Sequence, residues 1–154
     1  MVAGKGLQPS SDFLLDTGII IGHLRNDKRA NDLLDYLEQV GELSVSAITY
    51  LEILVGCKPH EENSTRLFFE RIQLLIVSQE IAQKASSLIK KYPGVFGNEV
   101  GRGTPDALIA ATAWQRRATL VTLNTRQFAK VPIAEVNVCS IKQSSKDWTN
   151  HLKL

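Results

Sequence analysis

Three acidic residues lie in apolar stretches that are far apart in the chain. Asp16 closes a short apolar run, Glu52 lies inside the run 48–55, and Asp106 opens the Ala-rich run 107–111. Carboxylates are seldom buried without a partner, because removing an unpaired charge from water is costly. Two of them about 5 Å apart repel by roughly 3 kcal/mol at an effective dielectric of about 20. If the fold brings these acids together, a hard divalent cation such as Mg²⁺ or Mn²⁺ is the simplest partner.

Each acid also has an ordinary structural interpretation. Asp16 precedes Thr17-Gly18, which is favourable turn chemistry, so it is also a candidate cap for the next helix. Glu52 shares the i, i+3, i+4, i+7 spacing of an apolar stripe, and its alternative is a place at the stripe's edge, facing solvent. Asp106 lies near a predicted helix N-terminus, where the helix dipole stabilises an anion. The combination of three acids, each beside a strand end or a core-facing helix turn, favours a shared site.

Further polar and basic residues flank these acids. Thr122 and Asn124 end an apolar run. They are candidates for a hydroxyl and an amide oxygen in the site or, alternatively, for a β-forming residue and a helix cap. The net charge is only +2, so contact with a polyanion must depend on a local patch. Arg25, Arg102 and Arg126 follow or flank the acidic elements, and we expect them to contact phosphates.

The order of apolar and amphipathic segments predicts an α/β fold. The expected strands are 13–16, 43–46, 74–77, 119–122 and 136–138. The expected helices are 19–24, a segment around 33–37, the segment that Ser46 caps, 63–69, 79–91, and 104–117 with Thr104 as its N-cap. The stretch 94–103 holds four glycines and is expected to be a loop. Strands alternating with helices imply a parallel sheet covered by helices, with ligands at the carboxyl ends of the strands.

The composition indicates an ordinary globular protein. The chain has 154 residues, of which 44% are hydrophobic and 22% charged, and we expect one domain over 12–154 after a flexible tail, 1–11. Cys57 and Cys139 are too few for a disulfide framework or a zinc site, so we expect small buried thiols in a reducing compartment. No run approaches the ~18 apolar residues of a membrane span and the start does not resemble a signal peptide, so a cytoplasmic protein is expected.

Four segments, taken in order, resemble a known family of nucleases. They are Leu14–Thr17, Glu52–Gly56, Pro105–Ala113 and Leu120–Phe128. Together they resemble the PIN-domain ribonucleases, and more closely the VapC toxins of type II toxin–antitoxin systems. The likeness extends from Asp12 to about Val138. It implies a three-layer α/β/α domain whose parallel sheet has about five short strands.

The resemblance also implies an activity and a set of site residues. The activity is endonucleolytic RNA cleavage that depends on Mg²⁺ or Mn²⁺ and leaves 5′-phosphate and 3′-hydroxyl ends. The family's catalytic, metal-binding acids match Asp16, Glu52 and Asp106. Supporting positions match Thr17, Thr122 and Asn124. The family's fourth acidic position falls near Asn124 or Gln127, and neither residue is charged.

Two kinds of protein partner are implied by the same resemblance. One is a second copy of the chain in a homodimer, and the other is a small antitoxin that sends an arginine into the acid cluster. An apolar groove between the early helices is the expected docking place for the antitoxin. The side chains of interest are those of Leu33, Leu37, Phe68 and Phe69, whose alternative role is packing in the core.

Other functions compete with the nuclease. A haloacid-dehalogenase-type phosphatase requires a second acid two residues after its nucleophilic Asp, and Gly18 occupies that position after Asp16. A Rossmann-type nucleotide binder requires a Gly-rich phosphate loop, which is missing after the first strand. The alternative that stays open is a PIN-like module, weakened by the missing fourth acid, that binds RNA or a partner protein without cleaving.

Overall fold

The computed structural model describes residues 12–97, 101–128 and 132–152. The predicted tail, 1–11, lies outside these ranges. Five strands form one parallel sheet with the order β3-β2-β1-β4-β5. The strands are β1 (Asp12–Leu15), β2 (Glu42–Ser46), β3 (Gln73–Leu75), β4 (Thr119–Thr122) and β5 (Val138–Ser140). The prediction of a parallel sheet of about five short strands is therefore confirmed.

Helices follow the strands and cover both faces of the sheet. They are α1 (Thr17–Leu24), α2 (Lys28–Val40), α3 (Ala47–Gly56), α4 (Glu62–Arg71), α5 (Gln79–Lys91), α6 (Pro93–Phe96), α7 (Thr104–Arg116) and α8 (Thr125–Phe128). Short 3₁₀ turns occur at Pro59–Glu61 and Thr149–His151. No helix among the described residues has the length and apolar character needed to cross a membrane.

The alternation of side chains along β1 divides the core into two layers. Leu14 packs into a cluster with α5 and α7 on one face of the sheet. Phe13 and Leu15 pack into a second cluster with α1 and α2 on the other face. Because successive strand residues point to opposite faces, three consecutive apolar residues serve both layers. This arrangement is the predicted three-layer α/β/α fold.

The predicted strands and the observed ones differ at two edges of the sheet. β5 begins at Val138 instead of Val136, because β4 pairs with residues 138–140 while Val136 lies buried in the preceding turn. β3 ends at Leu75 instead of Val77. Ile76 beyond it is 76% exposed, since this edge strand pairs with β2 only over residues 73–75.

The segment of the chain that leads into α7 also differs from the prediction. Residues 94–96 of the expected Gly-rich loop belong to the helix α6, whose C-cap is Gly97 with a φ of +80°. Gly103, not Thr104, is the N-cap of α7, and the Thr104 hydroxyl instead accepts a hydrogen bond from the Gly101 backbone at 3.0 Å. α7 ends one residue early because Arg117 adopts a left-handed conformation as its C-cap.

The apolar stripe that was expected to place Glu52 contacts the core at Ile48 but turns away from it at Leu51 and Val55. α3 buries Thr49 and Ile53, whereas Leu51 is 57% and Val55 80% exposed. Glu52 lies between these two faces and is half-buried. The expectation of a core-facing stripe was therefore wrong at Leu51 and Val55, because helical spacing identifies a shared face without showing what covers it.

The two cysteines are less enclosed than expected. Cys57 and Cys139 are free thiols and both are half-buried. The Cys57 thiol lies 3.5 Å from the Thr65 hydroxyl, at the junction of α3 and α4. Burial raises the pKa of the Cys139 thiol.

Candidate active site

Asp16 lies at the carboxyl end of β1, where the sheet meets α1. Its backbone N–H donates to the Val121 carbonyl at 2.9 Å and so continues the pairing of β1 with β4. Its carboxylate accepts two hydrogen bonds, at 2.8 Å from the Thr17 backbone and at 2.6 Å from the Thr122 hydroxyl. Asp16 is also the N-cap of α1. Its capping role and its place at the predicted site are therefore compatible.

Thr122, the last residue of β4, lies beside Asp16, and Asn124 follows it in the next turn. The Thr122 hydroxyl donates to Asp16 and accepts from the Asn124 backbone N–H at 3.0 Å. The Asn124 side-chain oxygen accepts from the Gln127 backbone N–H at 3.3 Å, and its amide donates to the Gln127 side chain. Thr122 therefore contacts Asp16 directly. Asn124 fulfils its alternative role, which is to organise the turn into α8.

Glu52 faces the other two acids from α3. Burial is the main cause that raises the pKa of the Glu52 carboxyl, and the charges of Asp16 and Asp106 raise it further. A hydrogen-bonding contact with Thr17 acts in the opposite direction and lowers this pKa. Thr17 is itself buried, and its hydroxyl donates to the Thr49 hydroxyl of α3 at 3.3 Å. Thr17 thus joins α1 to the helix that carries Glu52.

Asp106 completes the group from the first turn of α7. Burial is again the main cause that raises the pKa of the Asp106 carboxyl, and the Asp16 charge adds to it. A hydrogen-bonding contact with Gln127 lowers this pKa. Asp16, Glu52 and Asp106 therefore lie within electrostatic reach of one another.

The donor chemistry of this edge fits a divalent cation. In the part of the chain that the structure describes, none of the three acids forms an ion pair with Lys, Arg or His. Within the same ranges, no three His, Cys, Asp or Glu side chains are close enough to be grouped as ligands of one ion. Among the described residues, the three acids therefore do not form a closed group of metal ligands in this structure. Carboxylate oxygens are preferred ligands of Mg²⁺ and Mn²⁺, and water molecules commonly complete such a shell.

The three arginines proposed to contact phosphates are all exposed. Arg25 lies just after α1 and, with Glu52, lines a small cavity of about 60 Å³ between α1 and α3. Arg102 lies in the turn before α7, and Arg126 lies on α8 beside Gln127. The structure therefore brings Arg25 to the edge of the acidic site and places the other two on the elements next to Asp106.

The predicted docking groove is only partly present. Leu33 and Leu37 are fully buried in the core under α2, so they are not available to a partner. Phe68 and Phe69 are half-buried, and Phe69 packs edge-on against Tyr50 with ring centroids 4.7 Å apart. Phe68 lines a separate cavity of about 200 Å³ between α2 and α4. For Leu33 and Leu37, core packing is the role that the structure shows.

A comparison with known protein families shows which family the chain belongs to. The PIN domain matches residues 13–134, a region that includes every candidate site residue. The chain belongs to the PIN-domain family. Ribonuclease VapC19 of Mycobacterium tuberculosis is 33% identical over 120 residues, which are 77% of this chain and 94% of that protein. The resemblance to VapC proteins is confirmed.

Solved structures of toxin–antitoxin complexes contain chains with the same fold. A toxin–antitoxin complex from Klebsiella pneumoniae contains a chain with 31% identity and a TM-score of 0.64, covering 80% of this chain and 98% of that one. VapBC2 of Rickettsia felis, bound to a DNA fragment from its promoter, gives a TM-score of 0.68 at 22% identity, covering 82% and 96%. The second similarity, at this lower identity, concerns the fold alone.

Because the pKa values of Glu52 and Asp106 are raised, we predict that the stability of the protein depends on pH. A carboxyl with a raised folded-state pKa binds its proton more tightly when folded, so ionisation destabilises the fold. The penalty is absent below the ordinary values of 4.5 for Glu52 and 3.8 for Asp106, and it grows as the pH rises towards the folded-state pKa. Without divalent cations, Asp106→Asn should therefore raise Tm at pH 7 by about 2–4 °C, which corresponds to roughly 1 kcal/mol in a domain of this size.

Thermal unfolding in EDTA between pH 3.5 and 8 measures this effect. The gain for Asp106→Asn should disappear below about pH 4. Glu52→Gln should give a smaller gain with the same sign, because water screens its less deeply buried carboxyl better. Asp35→Asn, on the exposed face of α2, is the matched control and should leave Tm unchanged. A pH-independent gain would contradict the electrostatic explanation.

Proposed function

We propose that this protein is a VapC-type endoribonuclease that depends on Mg²⁺ or Mn²⁺. The observation that carries the proposal is the convergence of three carboxyls, from β1, α3 and α7, at the carboxyl edge of the sheet. Burial and their mutual repulsion raise the pKa of two of them. The VapC relatives that are named ribonucleases support this function for the same domain.

Asp16 and Asp106 are the residues that we propose hold the cation. Asp16 is the better fixed of the two, because a backbone N–H and the Thr122 hydroxyl both donate to its carboxylate. Asp106 lies in the first turn of α7. When bound, Mg²⁺ or Mn²⁺ supplies Lewis-acid polarisation of the scissile phosphate and lowers the pKa of a coordinated water.

Glu52 is suited to a different role from that of the two aspartates. Its raised pKa makes its carboxylate a better proton acceptor than an ordinary surface glutamate. We propose that a Glu52 oxygen orients the attacking water, and that it contacts the cation directly or through water. Attack at phosphorus with departure of the 3′ oxygen would leave 5′-phosphate and 3′-hydroxyl ends.

The first test is RNA cleavage by the purified protein with Mn²⁺, with Mg²⁺ and with EDTA. Cleavage should require the cation, and Asp16→Asn, Glu52→Gln and Asp106→Asn should each lower the rate by at least about a hundredfold, since each removes a group from the reacting site. Asp35→Asn serves as the control and should retain the full rate. Labelling of the product ends with and without phosphatase would identify the 5′-phosphate.

The same assay tests the proposed RNA contacts of Arg25, Arg102 and Arg126. Each Arg→Ala variant should raise KM more than it lowers kcat, and should reduce the salt dependence of binding by about 0.7 in log–log slope, as loss of one single-strand phosphate contact does. An unchanged slope would contradict the contact. A protein that binds RNA, even with Mn²⁺, but never cleaves it would instead support the binding-only PIN module.

We also propose an antitoxin partner. The Klebsiella pneumoniae structure, which is a toxin–antitoxin complex, supports it through a chain with the same fold. An arginine from the partner would neutralise the acid cluster, whose three acids form no ion pair with a cationic side chain among the described residues. Co-expression with the cognate antitoxin should abolish cleavage, and a fully active purified complex would overturn this part of the proposal.

A homodimer is the second assembly that we propose. Leu51, Leu54 and Val55 share one exposed face of α3, with 57%, 47% and 80% of each residue accessible. Leu54 also borders a groove of about 410 Å³ together with Tyr50 and other side chains of α3 and α4. A continuous exposed apolar face of this kind is typical of an interface, and a two-fold axis would bury it against its own copy.

Sedimentation equilibrium tests the homodimer. We expect a mass close to twice that of the 17.1 kDa chain at micromolar concentration. Val55→Glu should shift the equilibrium to the monomer, because it places a charge in the apolar face. Val40→Glu, at an exposed site that ends α2, is the matched control and should leave the mass unchanged. A wild-type protein that is monomeric throughout would contradict the proposal.

A further inference from the structure

Thr49 is a buried polar side chain that has no part in the mechanism proposed above. It lies on α3, three residues before Glu52, and is fully buried. Its hydroxyl accepts the hydrogen bond that the Thr17 hydroxyl donates at 3.3 Å. A buried hydroxyl without a partner is costly, so this contact satisfies two polar groups at once. The two threonines thus form a hydroxyl pair that joins the first residue of α1 to α3.

The hydroxyl pair connects two of the site acids. At one end, the Thr17 backbone N–H donates to the Asp16 carboxylate at 2.8 Å. At the other end, Thr49 and Glu52 are three positions apart on α3. Side chains with this spacing leave a helix on the same side, with Cβ atoms about 5–6 Å apart. The pair therefore lies between the end of β1, which Asp16 follows, and the turn of α3 that carries Glu52.

Few side chains hold α3 against the core. Its buried residues are Thr49 and Ile53, and Ile48 is partly buried. Ile53 packs with α1 and α2, but apolar packing has no preferred direction, so it holds α3 close to the core without fixing the rotation of the helix. A hydrogen bond weakens steeply when its angle departs from the preferred range. The hydroxyl pair is therefore the buried contact best suited to fix the orientation of α3.

We propose that Thr49 is a positioning residue, whose hydrogen bond with Thr17 fixes the orientation of α3 and thereby the position of the Glu52 carboxylate relative to Asp16. The proposal rests on the function proposed above and extends it to a residue outside the acid cluster. Misplacement of a reacting group by about 1 Å can cost 10²-fold in rate. Because Thr49 acts through the position of another side chain, its loss should lower the rate and leave the binding of RNA unchanged.

Two substitutions at Thr49 separate positioning from stability. Thr49→Val keeps the shape of the side chain and removes the hydroxyl. It should lower kcat for RNA cleavage by at least about tenfold, while KM stays within about twofold. Thr49→Ser keeps the hydroxyl and removes a buried methyl group, so kcat should stay within about twofold of the wild type while Tm falls by about 2–4 °C. A fully active Thr49→Val, or a Thr49→Ser as impaired in kcat as Thr49→Val, would overturn the proposal.

Thr112→Val is the matched control for this series. Thr112 is also a fully buried threonine on a helix, α7, but its hydroxyl donates to the Leu108 carbonyl of the same helix at 2.8 Å. Its substitution therefore removes a buried hydroxyl without breaking a contact between two elements, and kcat should stay within about twofold of the wild type. An equal loss of kcat in Thr112→Val would contradict a role that is particular to Thr49.

A double-variant cycle in EDTA tests the hydroxyl pair without cation or RNA. Thr17→Val and Thr49→Val should each lower Tm by about 2–4 °C, because each leaves a buried hydroxyl without its partner. The double variant should lose less than the sum of the two, since it removes both hydroxyls together. Additive losses of Tm would contradict a direct interaction between Thr17 and Thr49.

The NMR signal of Glu52 tests the inference independently of the proposed function. In EDTA at pH 7, the ¹³C carboxyl signal of Glu52 should move in Thr49→Val and stay in place in Thr49→Ser and Thr112→Val. An unmoved signal in Thr49→Val would overturn the inference, whereas a wild-type protein that cleaves no RNA would overturn only the proposed function. If Thr49→Val does not fold, Thr49→Ala removes the same hydroxyl and is compared with Thr112→Ala.

Discussion

The parallel pairing of β1 with β4 is the constraint on which the rest of the site depends. Leu15 lies opposite Val121 in this pair, so the residues that follow, Asp16 and Thr122, lie side by side at the carboxyl end of the two strands. The hydrogen bond from the Asp16 backbone to the Val121 carbonyl continues the pairing one residue beyond the end of β1. A shift of one residue would turn the Thr122 hydroxyl to the other face and would leave the Asp16 carboxylate without it.

The packing of the two apolar layers holds the three acids in place against their mutual repulsion. Each acid lies on or directly after an element that the core holds in place. Asp16 follows β1 in the centre of the sheet. Glu52 lies on α3, which buries Thr49 and Ile53, and Asp106 lies on α7, which buries several alanines. Because interiors are close-packed, these elements cannot move apart to relieve the repulsion. The carboxyls are therefore kept at an energetic cost that a cation relieves, as is common where function and stability compete.

The pattern of the sequence predicted most of the secondary structure. The bounds of α5 and β4 agree with the prediction, because clear periodicity and strong end signals coincide there. The prediction was wrong where a segment depends on its neighbours. β5 takes its bounds from its pairing with β4, and α6 forms inside a Gly-rich stretch because Val95 and Phe96 are buried against α7 and α8. On α3, an apolar stripe that looks like a core face is in fact exposed at Leu51 and Val55.

The sequence by itself determined that the sheet is parallel and that the chain resembles the PIN-domain family, and it predicted that Asp16, Glu52 and Asp106 share one site. Strand ends and the alternation of strands with helices are local signals, and together they limit the topology to a few arrangements. Only the tertiary structure decided that Thr122 donates to Asp16 and that Gln127 donates to the Val95 carbonyl of α6. These contacts join residues that are distant in the chain, and their geometry depends on how the helices pack against the sheet and against each other, which no local pattern encodes.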